Sequence, residues 1–144
     1  MSQATYEDAA LIMKLFELRR EEKLRKARAW MQKEFSANSY KELTEKYPQG
    51  SEENAYIRMV LGYWDMAASF LVHGIVHEEL FFESNVEMLG FWVKIKPVVE
   101  ELRNVTKNPM VAGNLEKAAA RCITWLSRNA PGAYEALQAR LVKP

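Results

Sequence analysis

Between Leu61 and Arg103 runs LGYWDMAASFLVHGIVHEELFFESNVEMLGFWVKIKPVVEELR, two strongly apolar stretches around one glycine turn. On the first, with Ile57 and Val60 leading in, Leu61, Trp64, Ala67, Ala68, Leu71 and Val72 recur at steps of three and four. That is the period of a helix face and not of a strand. On the second, Met88, Trp92, Ile95, Val99 and Leu102 make a stripe, with Phe91, Val98 and Val105 as a second row. A helix apolar over so much of its circumference belongs in the middle of a fold. The spacing therefore predicts a central helix pair, 54–73 and 85–105, joined through a turn at Gly74. Pro97 removes one backbone donor within the second helix, so a kink is expected near Val93–Lys94.

The rest of the chain reads the same way. Leu11, Ile12, Leu15, Phe16 and Leu18 start an apolar stripe that resumes at Leu24, Ala27, Met31 and Phe35, giving one long charged helix from about Thr5 to Phe35 with a bend midway. Glu21 precedes Arg25 by four residues, and Glu22 precedes Lys26 by four, the favourable order for pairs along a helix. Ser39-Tyr40-Lys41-Glu42 has the form of a capping box opening a short helix to Tyr47. Pro48-Gln49-Gly50-Ser51 is a loop, and Ser51 or Asn54 caps the next helix. A single turn or short helix covers His77–Glu83, and Ser84 or Asn85 is expected to cap the helix after it. Helices over Val111–Arg128 and through Ala133, Leu137 and Leu141 complete the chain. No segment alternates as a half-buried strand does. The expected fold is all-α, one domain over residues 1–144, an antiparallel bundle of about six helices.

Charge does not point to a partner class. The net is +1, divided as +2 over residues 1–50, −5 over 51–103 and +4 over 104–144. An acidic middle between basic ends draws a chain's own ends onto its centre more readily than it draws a second molecule. The basic run Arg19–Arg28 raises nucleic acid or anionic lipid as partners. Glu21 and Glu22 interrupt it, and no aromatic platform accompanies it, so nucleic acid is not expected and membrane contact is not favoured. The ten-residue apolar run at Ala9–Leu18 is too short and too charged to cross a bilayer. The start lacks the basic region of a signal peptide, which makes the cytoplasm the expected compartment.

Catalytic constellations are thin. His73-Gly74-Ile75-Val76-His77-Glu78-Glu79 is the nearest approach to a metal site, since histidines four apart on a helix share a face. Gly74 at a helix end breaks that geometry, and the His-Glu-x-x-His order is missing. No Glu-x-x-His occurs for a di-iron bundle. Cys122 is the one cysteine and reads as a small core residue. Asp65, beside Trp64 in a very apolar helix, is expected to be half-buried and paired with Arg58 or Arg103. No catalytic, metal or cofactor-binding residue is assigned, and no cofactor is expected.

Three blocks carry a resemblance. They are Leu61–Ala68 followed by Gly74-Ile75-Val76-His77-Glu78-Glu79-Leu80, then Trp92 with Lys96–Arg103, and the charged segment Glu17–Met31. In these the chain resembles an uncharacterised bacterial family of small all-helical domains of unknown function. The resemblance implies a helical fold and no activity. Relatives look as though a membrane segment often precedes the basic helix, and their turn usually carries an acid where this chain has His77.

The expected function is a non-enzymatic interaction module with a protein partner or a second copy of itself. Its motive is a Leu24–Met31–Phe35 side that one domain would leave uncovered. The competing expectation is a small ligand- or metal-binding bundle using Asp65, His73, His77 and neighbouring acids.

Overall fold

The computed structural model describes residues 3–141. Among them are eight helices and no strand: α1 (Tyr6–Arg19), α2 (Glu22–Lys33), α3 (Tyr40–Lys46), α4 (Glu52–Val72), α5 (Glu78–Ser84), α6 (Glu87–Thr106), α7 (Gly113–Asn129) and α8 (Ala133–Leu141). The all-α bundle stands. The single first helix does not, because it divides at Arg20–Glu21.

The division has a specific cause. Glu21 takes extended backbone, and its carboxylate accepts from the amides of Lys23 at 3.1 Å and Leu24 at 3.0 Å. It caps α2 and cannot serve as the helical partner of Arg25. Those two amides hold its carboxyl below the usual range. Arg28 then closes the corner. Its Nη1 donates to the Arg19 carbonyl at 2.9 Å, and its Nε and Nη2 each reach the Glu87 carboxylate at 2.6 Å. The hydrogen bonds that Arg28 donates to the Glu87 carboxylate raise its pKa. Lys26 turns to Glu52 at 3.8 Å, not to Glu22. The charged run is thus a corner, bonded on both sides.

Helix ends follow the local chemistry. Thr5 and Asp8 form a full capping box on α1. Ser39 accepts from the Glu42 amide, while Glu42 reaches back one residue further, to the Asn38 amide at 2.9 Å. Ser51, not Asn54, caps α4. At the other end Gly74 has φ 72, with Ile75 N donating to Phe70 O and Gly74 N to Leu71 O. Those two bonds make a Schellman motif, which needs a left-handed residue at that position. Helix α6 runs unbroken through Pro97. Neither Ser84 nor Asn85 caps it: Val86 stands at its N-cap with no side-chain bond.

The core is built around α7 as well as the expected pair. Trp64, Ala67 and Ala68 of α4, Ile95 and Val98 of α6, and Leu115, Ala119 and Cys122 of α7 are fully or almost fully buried. Helix α4 packs most extensively on α7 and then α2, whereas α6 packs on α7, α3 and α8. So α4 and α6 are both central but are not each other's main neighbours. A second nucleus surrounds Trp30, whose ring meets Phe35, Tyr47 and Tyr56 edge-on or tilted at 5.0–6.0 Å. Met31 and Phe35 are buried and Leu24 is half-buried against the core, so the α2 side expected to need an outside partner is covered within the domain. The acidic middle does receive the basic flanks, through Arg28–Glu87, Lys26–Glu52 and Arg121–Glu78.

Candidate functional site

Asp65 is the first residue the structure reassigns. Helix α7 begins after Ala112, which has φ 58 and no side-chain oxygen to accept an amide proton. The Asp65 carboxylate, from α4, accepts from the Leu115 amide at 2.9 Å. It replaces the missing cap across the interface and sits where the helix dipole favours an anion. Neither expected cation reaches it. Arg58 turns to Asn54, and Arg103 bonds Val111 O and Glu116.

The two histidines are also separated by role. His73 is the C-cap of α4. His77 is the N-cap of α5, its Nδ1 accepting from the Leu80 amide at 3.1 Å. An acceptor Nδ1 uses a lone pair that a metal would otherwise take. The His77 amide donates to Asp8 at 2.8 Å, and Thr5 and His77 backbone bonds hold the Asp8 carboxyl below its ordinary value. A cleft of about 760 Å³ opens here, lined by Asp8, His77, Glu78 and Glu79 with Arg121 and Trp125 opposite. Glu78 faces Arg121 at 3.4 Å. Asp65 and His73 do not line this cleft. Among the described residues no group of three or more His, Cys, Asp or Glu side chains is arranged to hold a metal ion. Cys122 is fully buried, and desolvation pushes its thiol up to about 12. Burial of this kind favours the thiol over the thiolate.

Asn85, expected as a helix cap, and Arg19, expected as part of a solvated basic run, instead meet each other in the interior. Arg19 is only 7% exposed. Its Nη1 donates to Asn85 Oδ1 at 2.6 Å and its Nη2 to Ser84 O at 3.3 Å. Its guanidinium lies 4.7 Å from the Phe16 ring centre and 5.4 Å from that of Trp64. Asn85 in turn donates to Phe81 O. With Tyr63, whose hydroxyl donates to Leu15 O, these bonds fasten α1 to the bundle. The only signal in the sequence was a polar residue at the edge of an apolar run, which a helix cap explains equally well.

Helix α1 buries one narrow side, Leu15 and Arg19, with Leu11 and Ile12 half-covered. Opposite Leu15 lie Tyr6, 87% exposed, and Met13, 65% exposed, with Phe16, 46% exposed, on the flank beside Arg19 and Leu18 on the other flank. Four of the eight large apolar side chains exposed among the described residues thus belong to this one helix. Tyr6, Ala10, Met13 and Glu17 step by four, three and four, the spacing of a seam that meets another helix. Arg20 closes the seam, its guanidinium 5.9 Å from the Phe16 ring centre. No described helix is long and apolar enough to cross a membrane.

Together these features define a small all-helical domain whose polar clusters mostly cap helices and fasten corners, with one apolar helix face turned outward. A family model described as a domain of unknown function, DUF4760, matches residues 4–122, and the chain belongs to that family. No curated protein and no solved structure matches the chain.

Proposed function

We propose that this chain is a non-enzymatic interaction module that pairs with a second copy of itself through the outer face of α1. The carrying observation is the concentration of exposed apolar side chains there. Such patches mark association sites more often than scattered single residues do.

Charge favours a second copy laid antiparallel. Glu7 and Asp8 stand in the first turn of α1, and the exposed Arg20 follows its last residue, Arg19 being turned inward to Asn85. An antiparallel pair sets each acidic end beside the partner's basic end and opposes the two helix dipoles. Met13 lies midway between Tyr6 and Arg20, so a two-fold axis through Met13 places Tyr6 against the partner's Arg20. The same axis places Phe16 over the partner's Ala10, a large side chain against a small exposed one. Both residues of each pair then serve twice, as an isologous interface requires.

The interface is small. A helix of this length spans about 21 Å, so the buried area falls at the low end for protein pairs, under about 1,200 Å². Association is expected at about tens of micromolar. Sedimentation equilibrium over about 5–200 µM tests it. A monomer–dimer equilibrium that Met13→Glu abolishes supports the reading, and a strict monomer throughout removes it. Binding to anionic vesicles without self-association would assign the face to a lipid surface instead.

A further inference from the structure

Away from the α1 seam, α2, α4, α6 and α8 border a half-open cleft of about 480 Å³. That is within the range of sites that hold small organic ligands, about 300–1,000 Å³. Behind its lining Trp64, Met31 and Phe91 are already packed, and the apolar surface left for a ligand lies mainly at half-buried side chains in front of them. Leu137 and Leu141 of α8 line it as well, and both lie outside the residues 4–122 matched by the family.

Gly90 helps keep the cleft open. It lies within α6, where glycine is a poorer helix residue than alanine. A Cβ there would meet Leu141 Cδ1 at 3.4 Å, ordinary contact distance, so the backbone would accept a side chain. Any longer side chain would be directed at the α8 wall and fill the space.

The rim is polar and mostly cationic, with Arg28, Lys94 and Arg140 against one carboxylate, Glu87. Glu87 is held by both Nε and Nη2 of Arg28. Lys94 donates to the Met31 and Gln32 carbonyls at 2.8 Å, at the C-terminal end of α2. Arg140 is exposed and makes no hydrogen bond or ion pair among the described residues. Its planar fork is suited to a carboxylate.

We propose that this cleft takes the tail of a single-chain amphiphile whose carboxylate head rests on Arg140. The half-buried apolar side chains supply affinity, and the rim selects the sign of the head group. The proposal is independent of pairing through α1.

Titration calorimetry and thermal unfolding of the full chain with decanoate, below its micellar concentration, provide the test. Saturable one-to-one binding with a raised unfolding midpoint is expected. Decyltrimethylammonium, with the same tail and the opposite charge, is expected to bind at least about tenfold more weakly. Gly90→Leu should abolish decanoate binding while the helical circular dichroism persists. Arg140→Glu, a change at an exposed residue, should weaken decanoate by about tenfold or more and keeps the test decisive should the glycine variant not fold. Absence of decanoate binding overturns the proposal. So does equal binding of the two amphiphiles, undiminished binding to both variants, or capture by anionic vesicles without binding of free decanoate.

Discussion

Helix α1 and helix α7 are joined to the same bundle by different means. Helix α7 presents a continuous apolar side, Leu115, Ala118, Ala119, Cys122 and Leu126, all buried. Its register is set by packing, and one remote carboxylate, Asp65, completes its start. Helix α1 buries Leu15 and Arg19 and is fastened by directional polar bonds through Arg19, Tyr63 and Asp8. Polar bonds fix a position but exclude little apolar surface from water. That is why α1 keeps Tyr6, Met13 and Phe16 outside, on the side available to another molecule. An element held by few contacts is also where local opening concentrates.

The contrast is sharpened by substitutions on each side. Phe82 is fully buried and its ring lies 5.6 Å from that of Trp125 on α7. Phe82→Ala removes ring volume from the packed core and is expected to lower global stability by about 3–5 kcal/mol, read by urea unfolding. Arg19→Ala leaves Asn85 Oδ1 buried without its donor and is expected to cost about 2–3 kcal/mol. Its effect should fall unevenly, with amide hydrogen exchange rising in residues 6–19 well before α7. Uniform acceleration would show that α1 is as integral as α7.

Asp65→Ala is expected to cost about 1–2 kcal/mol, the range of a lost N-cap, with exchange rising first at the start of α7. The smallest effect concerns Asp8. Its folded pKa lies below the ordinary 3.8 because the Thr5 and His77 amides bond the carboxylate. A depressed carboxyl contributes stability that is full above the unfolded pKa and is lost as pH falls through the folded one. The gap in thermal midpoint between the wild type and Asp8→Asn should therefore be full well above the ordinary value of 3.8 and narrow as the pH falls below it. A gap that widens on acidification would reverse the assigned sign.

Much of the fold was legible where a single rule decided the outcome. Apolar stripes located the main helices, Gly74 ended α4 in the left-handed turn expected, and Cys122 is in the core. Elements were misread where two uses of one residue type compete. Glu21 within a charged run fits a helix pair as well as a cap, and glutamate is not among the favoured caps. Asn85 before a helix fits a cap as well as a buried hub. Asp65 in an apolar helix fits an ion pair as well as a remote cap, and only the fold shows that Leu115 N lies beside it. The α1 stripe was visible, but which residues of it face outward depends on Arg19 being drawn inward. An exposed-looking arginine carries no such signal in a sequence.

The register of the proposed pair is the most direct point of attack. Met13→Cys places one thiol on the two-fold axis, while Lys41→Cys places one on α3, exposed and away from the seam. Native Cys122 is buried, which favours its thiol, and should stay silent in both. Under mild oxidation near the association midpoint, the Met13 variant is expected to form a covalent dimer at least about tenfold faster than the Lys41 variant. Equal rates for the two would contradict pairing through α1.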